Sequence, residues 1–598
     1  MSWPAEVTIT EIVFALIVFG NVISGIDDLA IDVYYWVIYL FRRLRYPRGQ
    51  YPQLTEEDLD SVIQKKAAIF IAAWDEADVI EDMLLCNSEL IDYQNYEFFV
   101  ACYPNDKATQ EKIDAACRVL PNVHKAVNRR RGPSNKADNL NAAFAELVRQ
   151  EQISGKRYDF IVMHDPEDVL HPLELKLCNY LMTRRGVNMV QTPVFPIEVP
   201  ARNFTAGSYM DDFAETHTKD IYAREWARAF VPSAGVGTAI ARDAFDRLGA
   251  KFGEKVFNTE SLTEDYDFSL RLDLSGYKSI FVRQRLLRRC KQKTGKADES
   301  PAELIATRAH FPATFKTAVR QRTRWMVGIN FQNWKQVGWE GRLQTKWMLF
   351  HDRKAVWSNS VLMFNYLFAA YGGGHWLYRA CISPETLPLL PYHRWIGIAI
   401  AVCMGLMLNR VLQRVIASTR TYGIRQGLLS IPRLFWGNVI NIAVTARAVK
   451  QFLTSELSGT RIAWDKTAHY FPSGMLTNQR GLGDALVNAG RLTLNHLDAA
   501  LRAQPSTEWS LENALLELRS MVEADIRRGN EQRAAAPQTL PWAAPLSEPE
   551  TAPQLNNVRG QRPEWEPTLT DLLLGRRQIN PRQLSRFMQG EPDFAFGD

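Results

Sequence analysis

Phe160-Ile-Val-Met-His-Asp165-Pro-Glu167-Asp168 is an apolar strand that runs straight into three carboxylates. Similar short runs lie on either side of it: Ala67-Ala-Ile-Phe-Ile-Ala72, Glu97-Phe-Phe-Val100 and Met189-Val-Gln-Thr192. Helical periods such as Asn139 to Arg149 separate them. Strands interleaved with helices from Lys65 to about Leu286 predict an α/β domain with a mostly parallel sheet. In such sheets ligands bind beyond the carboxyl ends of the strands. Hard oxygen donors there suit magnesium or manganese, and alternation along an extended chain lets Asp165 and Glu167 point the same way. The same acids would equally cap a helix, where its dipole favours negative charge. Both readings are open at this point.

Outward from that domain the chain turns apolar. The run Ile9 to Ile26, interrupted early by Glu11, has no basic segment before it and no small-residue cleavage site, so it reads as an anchor and not a cleaved signal. Asp27, Asp28 and Asp32 come next, then Val33 to Phe41. The expectation over 1–48 is one span and then an interfacial helix, with a second short span as the alternative. Arg42, Arg43, Arg45 and Arg48 place the α/β region after them in the cytoplasm.

The region 60–345 holds the α/β domain and 346–453 the next hydrophobic helices. Trp357 to Leu377 is apolar and nearly uncharged, and meets the ~20 residues a bilayer crossing needs. Trp395 to Leu408 qualifies only if it continues past Arg410. Pro384, Pro388 and Pro391 mark a periplasmic loop between them, and Arg410, Arg414, Arg420 and Arg425 a cytoplasmic end. Leu428 to Phe452 carries Arg433, Asn438, Asn441 and Arg447, which are costly in hydrocarbon, so it is expected to lie in the interface. A helical segment over 470–530, a Pro-rich linker over 534–567 and a last helical piece over 568–598 complete the chain.

Composition bounds the rest. A chain of 598 residues is too long for one ordinary domain, and 46% hydrophobic with 11% aromatic content is that of a folded protein. Its negative mean hydropathy excludes a chain that is mostly membrane. The formal charge of +5 suits anionic lipid headgroups or an anionic substrate, and no nucleic acid polymer is called for. Seven scattered cysteines without a Cys-x-x-Cys pair read as thiols in a reducing compartment, not as a disulfide framework or zinc site.

Two further stretches carry chemistry. Leu262-Thr-Glu264-Asp265-Tyr-Asp267 puts carboxylates at a helix start, where they either cap it or act as a general base towards a hydroxyl. Gln321-Arg-Thr-Arg324-Trp325 offers an arginine to clamp a pyrophosphate and a tryptophan to stack on a sugar, or else is a basic helix beside the membrane.

Taken in order, the Asp-x-Glu strand end, the Thr-Glu-Asp and the Gln-x-x-Arg-Trp before membrane helices resemble the membrane-embedded family 2 glycosyltransferases. Cellulose and hyaluronan synthases share this signature. Ala73-Trp74-Asp75-Glu76, Cys102-Tyr-Pro-Asn-Asp106, Gly132-Pro-Ser-Asn-Lys136-Ala-Asp-Asn-Leu-Asn141 and Ser233-Ala-Gly-Val-Gly237-Thr238 match in sequence, over roughly residues 60 to 450. The resemblance implies a GT-A fold, a Rossmann-like α/β domain with membrane helices attached. It implies Asp265 as general base beside Glu264, Asp165 and Glu167 on Mg2+ or Mn2+, and Gln321, Arg324 and Trp325 at the acceptor end. Glu76, Asp106 and Lys136 would bind the nucleotide sugar; Asp75 and Asp138 are also candidate helix caps. The family's second metal aspartate is replaced here by Glu167, with Asp168 adjacent.

The tail string Gly481-Leu482-Gly483-Asp-Ala-Leu-Val-Asn-Ala-Gly490-Arg-Leu492 resembles the small helical amino-terminal domain of type II secretion ATPases, which binds cyclic di-GMP. By that likeness Arg480, Leu482, Gly483, Gly490 and Leu492 would contact the dinucleotide, and Leu569-Thr-Asp-Leu-Leu-Leu574 is a weaker second copy. An ordinary helical bundle is the plainer alternative. A membrane transferase joined to such a tail resembles the bacteriophage adsorption protein B family. The resemblance implies an inner-membrane enzyme that moves a hexose or N-acetylhexosamine from a UDP-sugar to a growing exopolysaccharide. It also implies regulation by cyclic di-GMP and an outer-membrane export partner. The alternatives are a non-catalytic receptor or scaffold with a degenerate transferase fold, and a transferase adding one sugar to a lipid-linked acceptor.

Overall fold

The computed structural model describes residues 5–46 and 54–459, apart from gaps at 253–254, 287–288, 292–296, 300–302, 387 and 391–392. The chain divides into two compact units, Met1–Arg289 with Pro301–Phe471, and Cys290–Ser300 with Pro472–Asp598. The fold and site lie in the first; of the second, only a few strand residues near 290 and 298 are described. The expected helical tail, with Arg480, Leu482, Gly483, Gly490 and Leu492, lies outside the described residues, as do the Pro-rich linker and the second repeat.

The chain runs α1 (Ala5–Arg45), α2 (Glu56–Asp60), β1 (Ala67–Ala72), α3 (Ile80–Leu90), β2 (Tyr96–Cys102), α4 (Lys107–Val119), β3 (Val123–Val127) and α5 (Lys136–Ser154). It continues through β4 (Phe160–His164), α6 (Glu174–Arg185), β5 (Met189–Gln191), β6 (Val194–Pro196), α7 (Phe204–Glu215), α8 (Ile221–Trp226) and β7 (Thr238–Ala241). Then come α9 (Arg242–Phe252), α10 (Glu264–Leu274), β8 (Ser279–Phe281), α11 (Phe315–Met326) and α12 (Asn333–Val337). The last helices are α13 (Leu343–Cys381), α14 (Arg394–Tyr422) and α15 (Ile424–Ser458).

Among the described residues the main sheet has the order β3-β2-β1-β4-β7-β5-β8. β1 to β4 are parallel, with Ile69 opposite Phe98 and Val162, while β7 runs antiparallel to β4 and β5. The sheet is therefore mostly parallel, as its interleaved pattern predicts. Both faces are covered. Ile69, Phe98 and Val100 pack towards Met83, Leu84, Leu177 and Leu181, while Phe70, Phe99 and Ile161 pack towards Leu140, Leu147 and Phe245. Strands buried on both sides need no polar alternation, which is why β1 reads as an unbroken apolar run. Each such side chain stabilises the fold by about 1.5–3 kcal/mol. Because β2 and β3 extend to one side of β1 and β4 to the other, the order in which strands are laid down reverses between β1 and β4. A ligand crevice opens at such a point.

Among the described residues three helices are long and apolar enough to cross a membrane, Ile9–Arg45, Arg394–Tyr422 and Ile424–Ser458; α13, expected to span over Trp357 to Leu377, is not one of them. The first corrects the expected anchor with a separate interfacial helix after it, since α1 is continuous from Ala5 to Arg45. Its mid-helix acids do not stop it because they find partners. Lys354 Nζ lies 2.6 Å from both Asp27 Oδ2 and Asp28 Oδ1, and Asp32 pairs with Lys219 and accepts from Asn409 Nδ2 at 2.7 Å. Asp27, Asp28 and His351 have the spacing of metal ligands. The Lys354 ammonium already pairs with both carboxylates of that group.

The polar residues of α15, expected to hold it in the interface, also meet protein. Asn438 donates to Tyr366 Oη at 3.1 Å and Asn441 accepts from Arg322 Nη1 at 3.1 Å. Arg433 of α15 is fully buried against α7, donating through Nη2 to Asp211 Oδ1 at 3.0 Å and through Nη1 to Gln426 Oε1 at 2.7 Å. Gly207 makes room for it, since a Cβ there would stand 2.6 Å from Arg433 Cδ. Removing one partner of a buried pair strands the other charge, at a cost of about 3–5 kcal/mol. Arg433→Ala is therefore expected to lower the thermal midpoint of detergent-solubilised protein sharply, and a paired Arg433→Met/Asp211→Leu change to restore much of it.

Candidate active site

The parallel strands deliver their loops to one edge of the sheet. After β1, Asp75 takes a left-handed conformation at φ 55°, and its N–H donates to Asp106 Oδ2 at 2.5 Å. Asp106 also caps α4, accepting from Thr109 N at 3.3 Å, while the buried Glu76 donates its own N–H to Thr109 Oγ1 at 2.9 Å. Glu76 and Asp106 thus form one group, knitted by Thr109, where β1 and β2 end. After β3 the chain turns into α5, capped by Asn135, whose Oδ1 accepts from Asp138 N at 2.8 Å. Asp138 also pairs with Arg130 at 3.4 Å.

The cap points Lys136 inward. Its Nζ lies 2.5 Å from Asp165 Oδ1 at the end of β4 and 4.0 Å from Glu264 Oε1 at the start of α10. It also approaches the Gly235 carbonyl, at 3.5 Å. Asp265 completes the group: a Cβ on Gly235, whose φ is 75°, would stand 2.7 Å from Asp265 Oδ2. Only glycine fits there. Lys136, Asp165, Glu264 and Asp265, predicted from separate motifs, are thereby brought together.

Electrostatics here are set by burial. Desolvation works against the Lys136 ammonium, but Asp165, Glu264 and Asp265 outweigh it and hold its pKa above the ordinary value. Burial and then the adjacent Asp265 carboxylate push Glu264 from 4.5 up to about 7, against the pull of Lys136 and Arg324. Burial likewise raises Asp265, with Lys136 and Arg324 opposing. The charge of Arg324 on α11 therefore reaches both acids. Gln321 Oε1 and Arg324 Nε are buried without a hydrogen-bond partner among the described residues, as groups awaiting a polar ligand would be. Trp325 stands edge-on to Tyr209, with ring centres 6.0 Å apart, and beside Phe213 at 6.3 Å.

At the end of β4 the three acids divide. Asp168 turns back into the protein, accepting from Asp165 N at 2.8 Å and meeting His164 Nδ1 at 3.1 Å. His164 Nε2 meets Glu174 at 3.1 Å, and although burial opposes its charge, Glu174 and Asp168 raise it to about 9. Asp168 is thus occupied in shaping the turn, while Asp165 faces Lys136 and Glu167 is buried. Sequence reasoning missed His164, and also Gln191. Gln191 Oε1 accepts from Ala234 N at 2.9 Å and Thr238 Oγ1 at 2.6 Å, and its Nε2 donates to Val236 O at 2.9 Å, so it holds the turn that carries Gly235. The available signal was a polar residue inside an otherwise apolar strand.

A family profile described as Glycosyl transferase family group 2 matches residues 160–439, from β4 into α15. Bacteriophage adsorption protein B of Escherichia coli (strain K12) is 39% identical over 520 residues, which cover 84% of this chain and 67% of that protein. The chain belongs to the bacteriophage adsorption protein B family. As a member of that family it is a family 2 glycosyltransferase. Bacteriophage N4 adsorption protein B of Escherichia coli O157:H7 matches to the same extent, at 39% identity.

Among solved structures, the mannosyltransferase of Pyrobaculum calidifontis with GDP-mannose and Mn2+ overlaps with a TM-score of 0.41 at 15% identity, over 71% of this chain and 99% of that one. Glucosyl-3-phosphoglycerate synthase of Mycobacterium tuberculosis, with Mn2+, UDP-glucose and glycerol 3-phosphate, overlaps at 0.26 and 13% identity, over 46% of this chain and 85% of that one.

The raised Glu264 pKa makes stability depend on pH. Below pH 4.5 Glu264 is protonated folded or unfolded, so its proton stabilises the fold in full; between 4.5 and about 7 the folded state alone retains it. The stability tied to that proton is lost as pH rises through about 7. Glu264→Gln is therefore expected to raise the melting temperature of nucleotide-free protein by several degrees at pH 8 and to leave it unchanged near pH 4.5. Equal effects at both pH values would refute the shift.

Proposed function

We propose that this glycosyltransferase moves a hexose or N-acetylhexosamine from a UDP-sugar to a growing exopolysaccharide, with inversion at the anomeric carbon. The observation that carries this reading is the convergence of Lys136, Asp165, Glu264 and Asp265 at the carboxyl edge of the sheet. Asp265 takes the proton of the acceptor hydroxyl as that oxygen attacks the anomeric carbon and UDP departs. Burial raises its basicity towards this task. Asp165 and Glu167 would hold Mg2+ or Mn2+, which neutralises the leaving diphosphate. Lys136 and Arg324 add fixed positive charge to the same place, and Arg324 with Gln321 has buried polar atoms ready for a ligand. Glu76 and Asp106 sit at the ends of β1 and β2, where the nucleoside would lie.

A cavity of about 700 Å³ between α1, α13, α14 and α15 supports a long glycan product. Asn21, Ser24, Asn359, Asn365 and Asn438 line one part of it and charged groups such as Asp32, Lys219 and Arg414 another, hydrogen-bonding groups suited to sugar hydroxyls. The arginines at the end of α1 support an inner-membrane placement with the catalytic domain in the cytoplasm, in contact with anionic lipid. The tail's likeness supports cyclic di-GMP as effector, and the family likeness an outer-membrane export partner.

The test is UDP release by detergent-purified protein from a panel of UDP-sugars with Mn2+ or Mg2+, with and without cyclic di-GMP. One donor is expected to be turned over, with Asp265→Asn slower by at least about 100-fold. Full activity in that variant would remove Asp265 as the base. A product carrying one added sugar, and no long glycans, would move the reading to a lipid-linked acceptor.

A further inference from the structure

Asp352 stands on α13, just before the apolar stretch that begins at Trp357, and its carboxylate reaches into the transferase domain. Arg224 of α8 grips it with both terminal guanidinium nitrogens, Nη1 donating to Oδ2 at 3.0 Å and Nη2 to Oδ1. The hydroxyl of Tyr266 donates to Oδ2 at 2.6 Å. Asn330, in the π-helical turn Val327–Gln332 that continues the Gln-x-x-Arg-Trp helix, donates to the Asp352 carbonyl at 2.9 Å. One residue of a hydrophobic helix is thus bonded to three elements of the catalytic domain.

Tyr266 is the residue directly after Asp265. Its ring is buried, edge-on to Phe230 with centres 5.4 Å apart, and its backbone N–H donates to Asp265 Oδ1 at 2.8 Å. The position of Tyr266 therefore sets where the Asp265 carboxylate points. The loop before it is held from the same side. Leu262 N donates to Gln332 Oε1 at 2.8 Å, and Gly328 lies against Thr263 so closely that any side chain there would collide. A planar arginine–carboxylate fork is a stiff link. A misplacement of about 1 Å at a reacting group costs up to roughly 100-fold in rate.

We propose that Asp352 is a positioning residue that ties the Asp265 carboxylate to helix α13 through the Tyr266 hydroxyl, so that turnover depends on how α13 packs. The assignment rests on Asp265 as the base. It goes beyond that reading by naming how the hydrophobic helices act on the catalytic group.

The test compares Asp352→Asn and Tyr266→Phe with the wild type in UDP release and in backbone hydrogen exchange. Tyr266→Phe removes one hydroxyl and leaves the Arg224–Asp352 fork intact, so it probes the link even where Asp352→Asn folds poorly. The expected result is a fall in kcat of roughly 10- to 100-fold with donor KM within about twofold, and a double variant no slower than the worse single one. Exchange is expected to rise at amides 264–267 while β1 to β4 keep their protection. Unchanged kcat and unchanged exchange in Tyr266→Phe overturn the proposal. A purely structural role would raise exchange across the sheet and move KM and yield together, which also overturns it. Should the wild type release no UDP, faster exchange confined to 264–267 upholds the link and the functional reading alone falls.

Discussion

The ammonium of Lys136 stands among three carboxylates, Asp165, Glu264 and Asp265, that the fold gathers from distant parts of the chain. Two unit charges 4 Å apart interact by about 4 kcal/mol at a protein-like dielectric, so three unscreened acids would force one another apart or take up protons. Lys136 offsets that repulsion, and Arg324 contributes from α11. The result is a cleft in which burial raises Asp265 and pushes Glu264 up to about 7. A nucleoside diphosphate with a divalent ion would enter such a site at little electrostatic cost. Under the proposed function the anion would take over the lysine, and the cation the carboxylates.

Holding that cleft requires the hydrophobic helices. Asp32 of α1 pairs with Lys219, Lys219 with Glu215, and Glu215 with Arg414 of α14 at 2.7 Å. Arg414 and Arg322 share Asp212, at 2.5 and 2.8 Å. The series ends on Arg322, inside the Gln-x-x-Arg-Trp helix, while the Arg224–Asp352–Tyr266 link ends beside Asp265. Buried ion pairs of this kind contribute little net stability, because desolvation consumes most of the attraction, but breaking them is costly. They tie the transferase domain to α1 and α14, as the Arg224–Asp352 fork ties it to α13.

Local signals account for what the sequence disclosed. The apolar runs of β1, β2 and β4 are unmistakable because both faces of those strands are buried, and the carboxylates after β4 mark the edge where a ligand binds. Lys136, Asp165, Glu264 and Asp265 were each legible within a short motif, although their meeting at one ammonium is a tertiary fact that no spacing reveals. Gln191 and His164 escaped notice because a single polar residue in an apolar strand carries no pattern. Asp27, Asp28 and Asp32 misled in the opposite direction. Acids in a hydrophobic run look like its end, yet α1 passes through them because Lys354 and Lys219 arrive from elsewhere in the chain. The polar groups of α15 mislead likewise, since Arg433 and Asn441 have protein partners that sequence does not display.

The most direct measurement is an electron cryo-microscopy structure of the membrane-embedded protein with UDP and Mn2+. The account predicts the ion on Asp165 and Glu167 and the diphosphate beside it, with the Lys136 ammonium moved from Asp165 to a phosphate oxygen and Asp265 left open to the acceptor side. Nucleotide bound away from this edge of the sheet, or the ion at Asp27, Asp28 and His351 with the Lys136–Asp165 pair unchanged, would contradict it.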